Sequence, residues 1–215
     1  MAQLSSENIV LLGTAYLPPI DYFVAMVSSG SVVLEQYENY TKQSYRNRCK
    51  IFASDGVLSL TIPVINSGNN TPIRDIQIDY SKKWLPQHKM ALVSAYRSSP
   101  FFEYYQDDIF GVLDVREKYL FDLNLRLIEV IKENIGIDKA ISLSDGYVPG
   151  QELDQCVSDM RESIHPKKES PIFSGSQKQK PYYQVFSQKY GFVGGLSIVD
   201  LLFNEGPESY RFLKI

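Results

Sequence analysis

Chemistry in this chain would have to come from four groups of polar and aromatic residues: Tyr16-Leu17-Pro18-Pro19, Tyr45-Arg46-Asn47-Arg48, Trp84 with His88, and Ser197 to Asn204. Arg46 and Arg48, with Lys50 two places on, are the side chains that hold a phosphate, diphosphate or carboxylate, because a guanidinium fork binds such groups through two parallel bonds. The other reading of this charge row is a solvated strand face. His88 is either a general base or a hydrogen-bonded packing residue on the Trp84 stripe, and His165 lies in an expected loop. Asp79, Asp145 and Asp200 are the acids of interest, although no two have the sequence context of a glycosidase couple. Asp200 either braces the start of a helix or lines a site. Asn47 falls on an expected apolar face, where its amide needs partners or costs about 1–3 kcal/mol. The expected catalytic set is therefore His88, Asp79 and Asp200. The expected substrate-binding set is Tyr16, Tyr22, Tyr45, Arg46, Asn47, Arg48, Trp84 and Asn204. No glycine-rich nucleotide loop and no metal-ligand spacing is present, so no metal and no other cofactor is expected.

The elements that must position these residues are legible in part. Asn8 to Gly13 is a short apolar run suited to a buried strand. Pro18 and Pro19 suit the first turn of a helix over Ile20 to Ser28, although they supply no N–H for a phosphate cradle. Ser31 to Glu35 reads as a second buried strand, completing a strand-helix-strand crossover unit. From Ser44 to Val64 the pattern predicts a hairpin around an Asp55-Gly56 turn. The expected register sets Ser54 opposite Val57, Ile51 opposite Leu60, Cys49 opposite Ile62 and Asn47 opposite Val64, with Ala53 and Leu58 on the same apolar face. Arg46, Arg48 and Lys50 share the other face, opposite Pro63, Thr61 and Ser59, with no acid among them. Pro72 to Asp79 reads as one more strand. A helix follows from Ser81 to Ser99 with Trp84, His88, Ala91, Leu92 and Ala95 on one stripe. Phe101, Phe102, Tyr104 and Tyr105 form an aromatic knot.

Arg116 to Asn134 is the strongest helix, with Leu120, Leu123, Leu127, Ile128 and Ile131 inward and Gly136 as its stop. A strand over Ala140 to Ser144, a helix over Gln151 to Ile164, a lysine-bearing loop from His165 to Pro181, strand-like alternation over Tyr182 to Ser187 and a helix over Ser197 to Asn204 complete the chain. The fold class is α/β: a single domain over 1–215 with a small mixed sheet, an N-terminal strand-helix-strand unit, a β-hairpin and packed helices.

A hydrophobic share of 44% with 22% charged residues fits a folded globular protein. A formal charge of −3 gives no global attraction for nucleic acid or anionic lipid. Two distant cysteines, Cys49 and Cys156, favour a reduced, cytoplasmic protein over a disulfide framework. No secretion signal and no membrane-spanning stretch is expected. Oligomeric state is not readable from the sequence.

These groups, in this order, resemble the WbqC-like family of bacterial O-antigen and other surface-polysaccharide gene clusters. The resemblance rests on Tyr16 to Phe23, on Tyr45-Arg46-Asn47-Arg48 leading to Leu60-Thr61-Ile62-Pro63-Val64, on Ile78-Asp79 to His88 with Trp84, and on Leu196 to Gly206. It implies a transferase in the making or decorating of surface glycans, with aminoacyl (glycyl) transfer to a sugar or sugar precursor as the suggested activity. The substrate it implies is a small anionic sugar or acyl donor. It also implies a His-Gln-Pro triplet ahead of the tyrosine, where this chain reads Leu12-Gly13-Thr14. Two other functions remain open at this stage: a nucleotidylyltransferase-like enzyme, by analogy with the strand-turn-helix opening, and a non-catalytic protein that binds a glycan intermediate or a partner enzyme.

Overall fold

The apolar run at the start of the chain becomes strand β1 (Ile9–Gly13), the 20–28 segment becomes helix α1 (Ile20–Ser28), and β2 (Ser31–Glu35) returns parallel to β1. This is a computed structural model, and it describes residues 8–65, 70–174 and 178–214. Val10, Leu12, Val32 and Leu34 face inward and are at most 1% exposed. They pack beneath α1, whose residues from Ile20 to Met26 are all buried. Two later strands extend the sheet to the order β5-β2-β1-β6, parallel throughout.

Among the strands of the described residues, the antiparallel pair is a separate ribbon of β3 (Arg48–Ala53) and β4 (Gly56–Thr61). Arg48 pairs with Thr61 and Lys50 with Ser59, as expected. The apolar pairs are displaced by two residues: Cys49 faces Leu60, Ile51 faces Leu58, and Ala53 faces Gly56. Gly56 takes φ of +107° while Ser54 and Asp55 stay out of the left-handed region, so the glycine closes the ladder instead of forming a corner. An even displacement preserves the faces. Cys49, Ile51 and Leu60 are buried as expected, whereas Leu58, expected in the core, is 40% exposed. Phe52, on the expected cationic face, is buried against the rings of Phe186 and Tyr190.

Pro72 to Asp79 does not form a strand. It opens with a 3-10 turn, Ile73–Asp75. Its remaining backbone is shared between two neighbours, Ile65 and Pro63 on one side and Lys118 and Leu120 on the other, so no continuous ladder develops. Helix α2 (Trp84–Tyr96) carries the expected stripe. Helix α3 (Phe102–Asp114) follows it, in a stretch that the sequence reading treats only as an aromatic knot. Helix α4 (Leu120–Ile135) buries Leu120, Leu123, Leu127, Ile128 and Ile131 completely and ends at Gly136 with φ of +79°.

Beyond α4 lies the edge strand β5 (Ile141–Leu143). The helix expected over 151–164 is absent. A 3-10 turn, Gly150–Glu152, leads to β6 (Val157–Asp159), which takes the open side of β1. The unpaired backbone of a central strand outweighed local helical preference there. Tyr182 to Gln184 alternates in burial, but the 182–187 segment pairs with no strand: the Gln184 side chain accepts from Val193 N (2.9 Å) and donates to Val193 O (2.9 Å) in place of a strand neighbour. Short helix α5 (Ser187–Tyr190), helix α6 (Ile198–Glu205) capped by Ser197, and the final turn α7 (Ser209–Phe212) close the chain. Among the described residues no helix is long and apolar enough to cross a membrane.

Candidate functional site

In an open parallel sheet, ligands gather at the carboxyl ends of the strands where chain order reverses. Here β1 sends the chain to β2 on one side and receives β6 on the other, so the reversal lies between β1 and β6. The turn after β1 is the proline elbow. Leu17 at its centre holds φ of +40°, an unfavourable conformation for a side-chain-bearing residue. The elbow persists because α6 clamps it: Ser197 Oγ donates to Leu17 O (2.8 Å), Ile198 N to Pro18 O (2.8 Å) and Ile20 N to Leu196 O (3.1 Å).

Beside the elbow opens a cleft of about 180 Å³, walled by Pro19, Asp21, Tyr45, Lys50, the 164–171 segment and Gly194 to Leu196. Three elements bring charge to it. Lys50 reaches over from β3, with Nζ donating to Pro166 O (3.0 Å). Lys168 donates to Glu162 O (2.7 Å). Each ammonium therefore keeps further donors for a ligand. Asp21, in the first turn of α1, is 6% exposed, and its Oδ1 has no hydrogen-bond partner. Burial pushes its carboxyl up, and hydrogen bonds from Ser170 and its own backbone amide pull only part of the way back. Glu169 also lines the cleft, as does His165, whose imidazole is shifted down chiefly by burial and whose Nδ1 accepts from Lys167 N (3.2 Å).

Tyr45 and Ile164 also line a narrow crevice with Gly13, Thr14, Ala15, Tyr22, Arg46, Met160 and Arg161, at the reversal point itself. Arg46 is not part of an open cationic row. It is 3% exposed and donates to Glu38 through Nε (2.8 Å) and Nη2 (2.6 Å), with Nη2 also reaching Glu162 (2.7 Å). Gly13 is coupled to this pair, since a Cβ at that position would meet Glu38 Oε1 at 2.8 Å. A parallel cluster joins Arg161 to Asp159 and Glu35, residues at the ends of β6 and β2.

The remaining expected site residues lie elsewhere. His88 is sealed in the core: Tyr16 OH meets its Nδ1 at 3.0 Å, the Thr61 backbone also bonds the ring, and Trp84 packs edge-on at 5.1 Å. Burial brings its pKa down to about 4. Asp79 sits in a surface turn, where Oδ1 accepts from Ser81 N (3.0 Å) and Ser81 Oγ (2.5 Å). Asp200 is 1% exposed and accepts from Tyr96 OH (2.9 Å), Tyr182 OH (2.6 Å) and Gln184 Nε2 (2.9 Å). Asn204 donates to Asp200 O (2.7 Å), Asn47 donates to Ile62 O (2.8 Å), and Arg48 is half-buried. The structure thus brings Tyr45, Tyr22 and Arg46 to the clefts and keeps His88, Trp84, Tyr16, Asp79, Asp200 and Asn204 away from them. Sequence reasoning passed over Asp21. The available signal was an acid directly after a Pro-Pro helix start, a position that also has a bland explanation in the helix dipole.

One prediction follows from His88. A histidine buried neutral has a folded pKa below its unfolded value of 6.5, so the unfolded chain binds the extra proton first and stability falls as the pH drops from 6.5 towards 4. Urea denaturation at pH 7 and pH 4.5 should show a loss from this group of about 2–3 kcal/mol in the native sequence. The corresponding pH dependence should shrink by that amount in His88→Gln.

The sequence model of the WbqC-like protein family matches residues 14–169. The chain belongs to the WbqC-like protein family. In this WbqC-like protein the matched span contains the elbow, the hairpin, the crevice apart from Gly13, and the cleft wall as far as Glu169. The Leu196 to Gly206 segment lies beyond the match, yet it is the part that clamps the elbow. The protein is also 24% identical over 231 residues to uncharacterized protein Rv1507c of Mycobacterium tuberculosis (strain ATCC 25618 / H37Rv), a similarity that covers 97% of this chain and 98% of that one. No solved structure matches it.

Proposed function

We propose that this protein is a cytoplasmic group transferase of bacterial surface-polysaccharide assembly, acting on a small anionic sugar or acyl donor held in the elbow cleft. Aminoacyl transfer to a sugar precursor is the specific form that family membership favours. The observation that carries the reading is the meeting of Lys50, Lys168 and His165 with the buried, part-free Asp21 carboxylate in one cleft at the carboxyl end of β1. Cations neutralise the donor's charge and its leaving group, while a carboxylate held above its usual range is suited to proton transfer. Two free thiols, Cys49 buried and Cys156 exposed, fit a reducing compartment. Closure of His88 in the core leaves acid-base work to Asp21 and His165.

A thermal-shift screen against nucleotide sugars and aminoacyl or other acyl phosphates tests the reading. An anionic donor should raise the melting temperature, and Lys50→Met with Lys168→Met should abolish the shift without lowering the Tm of the free protein, since both side chains are anchored only to backbone carbonyls. Donors that fail to bind, or that bind equally well to the double variant, would count against the cleft.

A further inference from the structure

The charges of the elbow cleft specify more than an anion. Lys50 and Lys168 share the cleft with two acids, Asp21 and Glu169, so its lining carries charges of both signs. At Asp21 the geometry is unusual. Most buried carboxylate oxygens are hydrogen-bonded, and one left bare in a low-dielectric setting is destabilising. Asp21 is 6% exposed, yet its Oδ1 has no partner, although Ser170 bonds the carboxyl and Tyr45 lies near enough to feel its charge. The helix end contributes little for an anion, because the first-turn N–H groups are taken: Ile20 N donates to Leu196 O, Tyr22 N to Pro19 O, and the Asp21 amide bonds its own carboxyl. An anion is therefore held by the lysines, and Oδ1, buried and unpartnered, is an acceptor in want of a donor.

We propose that the elbow cleft selects a bifunctional ligand, an anion that also carries a hydroxyl or ammonium group, and that Asp21 Oδ1 accepts the hydrogen bond from that second group. Asp21 is then the specificity-determining residue of the cleft. The inference rests on the reading of this cleft as an anion site and adds to it the second contact. The raised carboxyl of Asp21 agrees with an oxygen left unbonded until the ligand arrives. The small volume, about 180 Å³, suits one compact ligand headgroup at a time.

Titration calorimetry with inorganic phosphate, glucose 1-phosphate and O-phosphoethanolamine tests the proposal on the intact chain. The hydroxyl-bearing or the ammonium-bearing phosphate should bind about tenfold more tightly than inorganic phosphate, the size of one charge-assisted hydrogen bond, and the stronger of the two identifies the donor group. Asp21→Ala should erase that advantage while leaving inorganic phosphate bound as well as before or better, because a repelling charge has been removed. The variant should also melt about 2–4 °C higher than the native protein, as expected when an unpartnered buried charge is deleted. Should Asp21→Ala fail to fold, Asp21→Asn keeps the shape, and the advantage should fall severalfold as the bond becomes neutral. Failure of every phosphate to bind removes the anion-site reading itself. Binding of all three with equal affinity, or an Asp21 variant that weakens all three alike, leaves the anion site standing and overturns the second contact.

Discussion

Arg46→Ala lowers the stability of the folded chain by about 3–5 kcal/mol, the cost of leaving a buried partner charge uncompensated. The guanidinium is 3% exposed, and two of its nitrogens are fixed on Glu38, itself 5% exposed. Burial already pushes the Glu38 carboxyl up against the pull of Arg46. Without the arginine, Glu38 either stays ionised in a poor environment or takes up a proton, and both outcomes disfavour the fold. Glu162 contributes less, because its carboxylate is 57% exposed and water replaces the lost contact. The double variant Glu38→Gln/Arg46→Met should recover most of the loss, since no charge is then stranded. Urea denaturation of the single and double variants checks both statements, and a single-variant loss below about 1 kcal/mol would refute the buried-pair account. The sequence reading left Arg46 as either an anion ligand or part of a solvated strand face; in the structure it is buried against Glu38.

Asp200→Ala should cost about 2–4 kcal/mol, through a different cause. Its carboxylate accepts from two tyrosine hydroxyls and a glutamine amide, and each donor loses about 1 kcal/mol when its acceptor goes. Tyr96 and Tyr182 come from α2 and from the segment before α5, so the carboxylate ties α6 to two otherwise separate parts of the chain. Gln184 carries the tie onward to Val193, next to the Gly194 to Leu196 wall of the elbow cleft. Amide hydrogen exchange should accordingly rise over 182–196 in the variant and stay unchanged in β1 and β2. Burial raises the Asp200 carboxyl despite these three donors. With a folded pKa above the unfolded one, the group's contribution is present at low pH and is lost as pH rises through the folded pKa. The stability deficit of Asp200→Ala should therefore be larger in acid than at pH 8. A uniform deficit would mean that Asp200 packs without titrating.

How much was legible follows from where each element finds its partner. The crossover unit of β1, α1 and β2 needs only neighbours in sequence, and its apolar runs and prolines state it plainly; α4 and its glycine stop are equally local. The 157–159 strand failed because its reason lies in the free edge of β1, nearly 150 residues earlier in the chain. The apolar pairs of the hairpin failed by two, although the Arg48 and Lys50 pairs held, because glycine geometry at position 56 fits either placement until Cys49 and Ile51 are packed. Asn47 was marked as an amide in need of partners; Ile62 O accepts from its Nδ2, while its buried Oδ1 has none.

What the sequence determined by itself is the α/β class, the order of its N-terminal unit, the helical stripe of Trp84 and His88, and the motifs that mark the family. Those follow from hydrophobic period and turn chemistry, which act over a few residues. Tertiary structure alone decided which charges are free. Arg46 met Glu38 in a buried pair, Tyr16 and Trp84 enclosed His88, and Asp21 was left with one unpartnered oxygen in the cleft that Lys50 and Lys168 also line. Whether a charge is spent inside the fold or kept for a ligand depends on contacts between distant segments, and no local pattern encodes it.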